Sequence, residues 1–218
     1  MGGHGPVVVL GIASAVVAIA NWWSRWRDDG RTELVTKPLA TILIAAFAVA
    51  CAVDGNAHAP RGALVAGIIG FACCLAGDVA LLPAIDKFVV GLGSFLVGHL
   101  AFVVMFVLLG LDRWWLGAIA VVGTLAVAVG LGRRIVAGAV MKAREYAMPV
   151  RAYLVVISVM AIVGWATGRP AAVLGATAFI TSDAILGWEV FVDERPWMPV
   201  AIMVTYHAAL AGLAASLL

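Results

Sequence analysis

Eight apolar stretches, each long enough to cross a bilayer as a helix, leave this 218-residue chain one class of fold. A helix rises 1.5 Å per residue, so about 20 apolar residues cross the roughly 30 Å hydrocarbon layer. Inside lipid every backbone N–H and C=O must be paired within the protein, which admits only helices and closed barrels. The runs here are continuous, without the alternation of barrel strands. They predict an all-α membrane protein, one transmembrane domain over residues 1–218, with spans at about 6–23, 37–53, 62–82, 88–109, 114–131, 148–167, 171–190 and 198–217. Charges and turn residues separate the spans at Arg25–Lys37, Asp54–Arg61, Pro83–Lys87, Gly110–Arg113, Gly132–Pro149, Gly168–Pro170 and Val192–Pro196. Tryptophans such as Trp22, Trp114, Trp188 and Trp197 stand at span ends, where amphipathic rings anchor helices at the membrane surface.

The charge pattern orients the bundle. Eleven of the 14 lysines and arginines lie in or beside odd-numbered connections, against Arg61, Arg113 and Arg169 in even-numbered ones. Cytoplasmic connections carry the positive excess, so the chain is expected in the cell membrane with both termini outside. Residues 1–6 hold no Lys or Arg, so a signal peptide's basic region is missing and the first run is read as a permanent span. A net charge of +2 and the lack of a basic patch exclude nucleic acid as a partner. Cys51, Cys73 and Cys74 fall inside apolar runs without ligand spacing and call for no metal or other cofactor. Small residues recur at one-turn intervals in span three (Gly67, Gly70, Cys74, Gly77) and span four (Gly91, Ser94, Gly98, Ala101), which lets helices approach closely.

Two charged residues, Asp78 and Asp183, lie well inside spans. An ionised Asp at a bilayer centre costs about 2.5–3.5 kcal/mol on insertion scales, so each needs a partner or a task. Their surroundings are alike: Gly77-Asp78-Val79-Ala80-Leu81 in span three, Ser182-Asp183-Ala184-Ile185-Leu186 in span seven, each followed one span later by a histidine, His99 and His207. The pattern suggests a four-plus-four parallel repeat about an axis along the membrane normal. By helical rise, Asp78 and Asp183 stand about 24 and 18 Å along inward-running helices, and the histidines about 13–16 Å from the cytoplasmic ends of theirs. Lys37 and Tyr153 come nearer that surface. Six helices thus send polar groups to the cytoplasmic half, where they form either interhelical clamps or a common pocket. Pro38 fits a helix start, and Lys37 beside it either snorkels to lipid phosphates or meets a ligand. Phe95, His99, Phe102 and Phe106 share a face of span four, as packing, lipid contact, or a gutter for an acyl-like chain.

The order Lys37-Pro38-Leu39, Gly77-Asp78, Gly98-His99, Tyr153 with Met160, Gly175, Phe179, Ser182-Asp183 and Tyr206 resembles the YhhN-like lysoplasmalogenase family, from about residue 36 to the C-terminus. The resemblance implies hydrolysis of the vinyl ether bond of a single-chain ether phospholipid, releasing a fatty aldehyde and a glycerophospho-base. The family's last span tends to carry Gln or His a turn after its Tyr; here that place is Leu210, and His207 is the nearest polar substitute. Vinyl ether hydrolysis needs an acid to protonate carbon and a second group to activate water or stabilise the cation, a division two carboxyls manage in glycosidases. Asp78 and Asp183 are the candidate catalytic pair, and Lys37, His99, Tyr153, Ser182, Tyr206 and His207 the candidate substrate-binding groups. The same Asp/His set fits a proton-coupled transporter, and a pocket without chemistry fits a lipid-binding protein.

Overall fold

The computed structural model describes residues 4–53 and 59–218; residues 1–3, and residues 54–58 of the second connection, lie outside the described residues. Among the described residues the chain is all-helical, and eight helical segments are long and apolar enough to cross a membrane. They are α1 (His4–Trp26), α2 (Gly30–Val53), α3 (Arg61–Ala80), α4 (Phe88–Leu109), a compound fifth segment, α7 (Ala147–Ala166), α8 (Pro170–Phe191) and α9 (Met198–Ala215). The fifth joins α5 (Trp114–Val127), a π-helical turn (Ala128–Gly132) and α6 (Arg133–Lys142) into one continuous rod.

Packing closes a ring. Helices α2, α3, α4, α7, α8 and α9 each touch the next, and α9 returns to α2. Helix α1 lies outside the ring against α2 and α9, and α5 lies outside it against α7. The outer faces are apolar and exposed, as at Val9, Ile12 and Val16 of α1 and Val122 and Leu125 of α5. A face of this extent is out of place in water and at home against lipid tails.

Two boundaries move the reading of the site. Helix α2 starts at Gly30, seven residues before the span read from the sequence. Asp29 caps it: its carboxylate accepts the backbone N–H groups of Arg31 and Thr32 and the Thr32 hydroxyl. Those bonds, the Thr32 hydroxyl foremost, hold the Asp29 carboxyl below the usual carboxylate range. Lys37 therefore stands two turns inside α2, and Pro38 lies within a continuous helix instead of starting one. The fifth segment likewise runs ten residues past Gly132, because Arg133–Lys142 continues as helix alongside α8.

The aromatic face of α4 is packing. Phe95, Phe102 and Phe106 are buried, and Phe102 and Phe95 sit where a side chain at Gly70 and Gly77 would otherwise stand. These rings let α3 and α4 close on each other, and of the three Phe95 borders cavities while Phe102 and Phe106 are packed in the core.

Candidate active site

The ring helices contribute their polar residues at matching heights, near the end that carries the odd-numbered connections. Asp78 lies in the last turn of α3, and Asp183 two turns before the end of α8. Lys37 and Thr41 come from the second and third turns of α2, Tyr153 from the second turn of α7, and Tyr206 from the third turn of α9. A cavity of about 220 Å³ opens among them, lined by Lys37, Asp78, Ser182, Asp183 and Tyr206, with Arg25, Glu33, Asp86 and Glu189 around it. Both aspartates face the same space.

Each carboxyl has its own cage. Asp78 is fully buried; its Oδ2 accepts the Thr41 hydroxyl at 2.6 Å and the Tyr206 hydroxyl at 2.8 Å, while Oδ1 accepts no hydrogen bond from the described residues. Asp183 Oδ2 accepts the Tyr153 hydroxyl at 2.5 Å. His99 Nε2 stands 3.6 Å from that oxygen, beyond a good hydrogen bond, and neither ring nitrogen of His99 has a hydrogen-bond partner among the described residues. The His99 ring is fully buried and meets Tyr153 and Phe179 edge-on at 5.3 and 4.5 Å between centroids. Asp183 keeps 12% of its side chain exposed and borders three cavities: the polar one and two small apolar ones.

The cations differ in the same way. Arg25 is committed to Glu33 at 2.5 Å. Lys37 is buried, lines the cavity, and pairs with no carboxylate among the described residues. An unpaired ammonium in such a place suits an anionic ligand. Among the described residues no group of three or more His, Cys, Asp or Glu side chains is arranged to hold a metal ion.

The remaining candidates divide. Ser182 lines the cavity but donates its hydroxyl to the Ile202 carbonyl at 3.0 Å, which ties α8 to α9. His207 turns away: its Nδ1 accepts the Trp22 indole N–H at 2.9 Å, and the residue lines a separate apolar cavity among α1, α2 and α9. Thr41 and Arg25 were not among the sequence candidates. Thr41 was recoverable, since it follows Lys37 by four residues and so shares its helical face.

The profile of the YhhN family matches residues 32–217, which is every ring helix and all but the first two residues of α2. The chain belongs to the YhhN family. Its relatives include human lysoplasmalogenase TMEM86B, 29% identical over 210 residues that cover 94% of this chain and 84% of the human protein. Rat lysoplasmalogenase TMEM86B is 26% identical over 213 residues, 94% of this chain and 82% of the rat protein. No solved structure matches the chain. Helix α1, which the family profile leaves out, supplies Arg25 to the cavity wall and Trp22 to His207.

Proposed function

We propose that this chain is a multi-pass membrane hydrolase that cleaves the vinyl ether bond of lysoplasmalogens, with Asp78 and Asp183 as the acid/base pair. The observation that carries the reading is one cavity holding two differently caged carboxyls beside an unpaired lysine. The family and its lysoplasmalogenase relatives support the reaction class.

The spacing fits the substrate. Lys37 stands one turn, about 6 Å of helical rise, nearer the mouth than Thr41 and the aspartate it holds. A lysoplasmalogen separates its phosphorus from its vinyl ether oxygen by five bonds. With the phosphate on Lys37, the vinyl ether falls between the carboxyls.

The chemistry then assigns roles. Protonation falls on the vinyl carbon next to the alkyl chain, and Asp183 is the carboxyl that borders apolar space on the chain side. Asp183 gives its proton to that carbon, and the positive charge spreads over the neighbouring carbon and the ether oxygen. Asp78 faces this cation from the glycerol side and takes a proton from the water that adds to it. The hemiacetal collapses as its hydroxyl proton passes to Asp183, restoring the acid, while Asp78 returns its proton to the departing glycerol oxygen and a fatty aldehyde is released. Tyr153 and Tyr206 orient the two carboxyls, and His99 packs the acid from behind.

A carrier would need a second opening. Beyond the aspartates, toward the even-numbered connections, the ring is filled by Phe71, Phe102, Met105, Phe106 and Met160, which favours catalysis over transport. The excess of Lys and Arg on odd-numbered connections supports a cytoplasmic cavity mouth with both termini outside. Purified protein given a lysoplasmalogen tests the reaction. Wild type is expected to release aldehyde, and Asp78→Asn and Asp183→Asn to lose about 10²–10⁴-fold in turnover while staying folded. Full turnover by both folded Asn variants would remove the carboxyls from the mechanism.

A further inference from the structure

The headgroup and the reacting bond have places in the polar cavity, but a long alkenyl chain does not fit within its roughly 220 Å³. The chain has to leave the site through the protein wall. Two apolar cavities touch Asp183 and Tyr153, and they end differently.

One, of about 40 Å³, lies between Phe88, Leu92 and Leu186 and ends against Ile135 and Val150, which with Ala139 form a packed secondary core. The other, of about 30 Å³, is a seam between the π-helical turn, α7 and α8. Its wall residues Val127, Leu131, Ile180 and Ala184 also line a groove of about 480 Å³ on the lipid-facing side of the bundle. That volume falls within the roughly 300–1,000 Å³ usual for small-molecule sites. Trp188, Arg195 and Trp197 line the same groove, the residue types that meet lipid headgroups at a membrane surface.

We propose that the alkenyl chain of the substrate passes from Asp183 through this seam into the groove between α5 and α8, and that the aldehyde leaves to the bilayer the same way. The proposal rests on the hydrolase reading above and adds the chain's path to it. The π-helical turn at Ala128–Gly132 forms the outer wall where seam and groove meet. A π-turn disturbs the regular register of a helix and often marks a functional site. Here it meets α8 and lines the seam that Asp183 borders. Continuity also fits the chemistry, because the carbon that Asp183 protonates is the one bonded to the alkyl chain.

Thr181→Trp and Thr181→Phe narrow the groove at an exposed position of α8 that lines it but neither the seam nor the polar cavity. With a sixteen-carbon alkenyl substrate, KM is expected to rise about tenfold or more, as for a pocket that loses several methylene contacts. With a six-carbon alkenyl substrate, which ends before the groove, kcat/KM is expected to stay within about twofold of wild type. As a second measurement on wild type, a saturated alkyl ether lysophospholipid with a diazirine at the chain end should label the Val127–Leu131 or Trp188–Trp197 region. Chain-length-blind variants, or labelling around Phe88 and Leu92 instead, would overturn the path while leaving an active hydrolase. Wild type that releases aldehyde from neither substrate would sink the hydrolase reading, and the path with it.

Discussion

Tyr153→Phe is the sharpest probe of the two cages. The substitution keeps a buried ring against His99 and removes only the hydroxyl that Asp183 accepts at 2.5 Å. Among the described residues that hydroxyl is the sole hydrogen-bond donor on Asp183 Oδ2, since His99 Nε2 stops 3.6 Å away. A hydrogen bond to a charged group contributes about 1.5–3 kcal/mol. If it is felt mainly in the transition state, the loss in kcat is about ten- to a hundredfold, at 1.36 kcal/mol per factor of ten. Tyr206→Phe provides the internal comparison. Asp78 loses one donor and keeps Thr41 at 2.6 Å, so the expected loss is that of an ordinary net hydrogen bond, about two- to tenfold. Initial rates of aldehyde release, with melting temperature in detergent as the control for folding, measure both. The reasoning is refuted if Tyr153→Phe turns over at the wild-type rate, or if Tyr206→Phe is the more damaging of two equally stable variants.

Lys37→Ala should raise KM for lysoplasmalogen with little change in kcat, because a phosphate contact binds ground and transition states alike; steady-state kinetics show the split. Gly70→Ala should destabilise the bundle by about 1–3 kcal/mol, because the added carbon runs into the Phe102 ring, itself boxed in by Phe71 and Phe179; thermal unfolding in detergent reports it. A reporter fused after Leu218 should read the outside face, and a cytoplasmic signal would reverse both the orientation and the side on which the cavity opens.

The membrane fold was legible because burial in lipid is written in long apolar runs, and an intramembrane carboxylate stands out against them. Asp78 and Asp183 were visible for that reason, Lys37 as the charge at the start of span two and Tyr206 through the family resemblance, and the structure sets all four on one cavity. What the sequence hid is local. The charged stretch from Arg25 to Lys37 looks like a connection, yet an Asp29 cap turns most of it into two helical turns. Thr41 carries no charge and so drew no notice, although its hydroxyl is the shortest bond Asp78 accepts. The facing of His207 could not be read from periodicity alone, because both faces of α9 are apolar and the Trp22 contact spans 185 residues. The π-turn follows from no composition signal in Ala128–Gly132 and shows only in the backbone.

The two aspartates sit in like sequence contexts, and catalysis asks them to behave differently. Their cages follow an exchange: α2 and α9 hold Asp78, while α7 and α4 surround Asp183. A four-plus-four repeat would leave this pattern, since each aspartate then lies on its half's third span, bonded from the second span of its own half and met by the fourth span of the other. A repeat alone, however, makes equal sites. The cages differ in their donors: Asp78 accepts a Thr and a Tyr hydroxyl, whereas Asp183 accepts one Tyr hydroxyl and stands beside the His99 imidazole. The two extra helices add to the difference, because α1 brings Arg25 beside Asp78's cavity, whereas α5 brings the π-turn beside Asp183. Both carboxyls thereby face the cationic, hydroxyl-lined cavity, and Asp183 also borders the apolar seam. An alkenyl ether presents the same polarity, with phosphate and glycerol on one side and hydrocarbon on the other. That correspondence is why the acid is assigned to Asp183 and the water-activating carboxylate to Asp78.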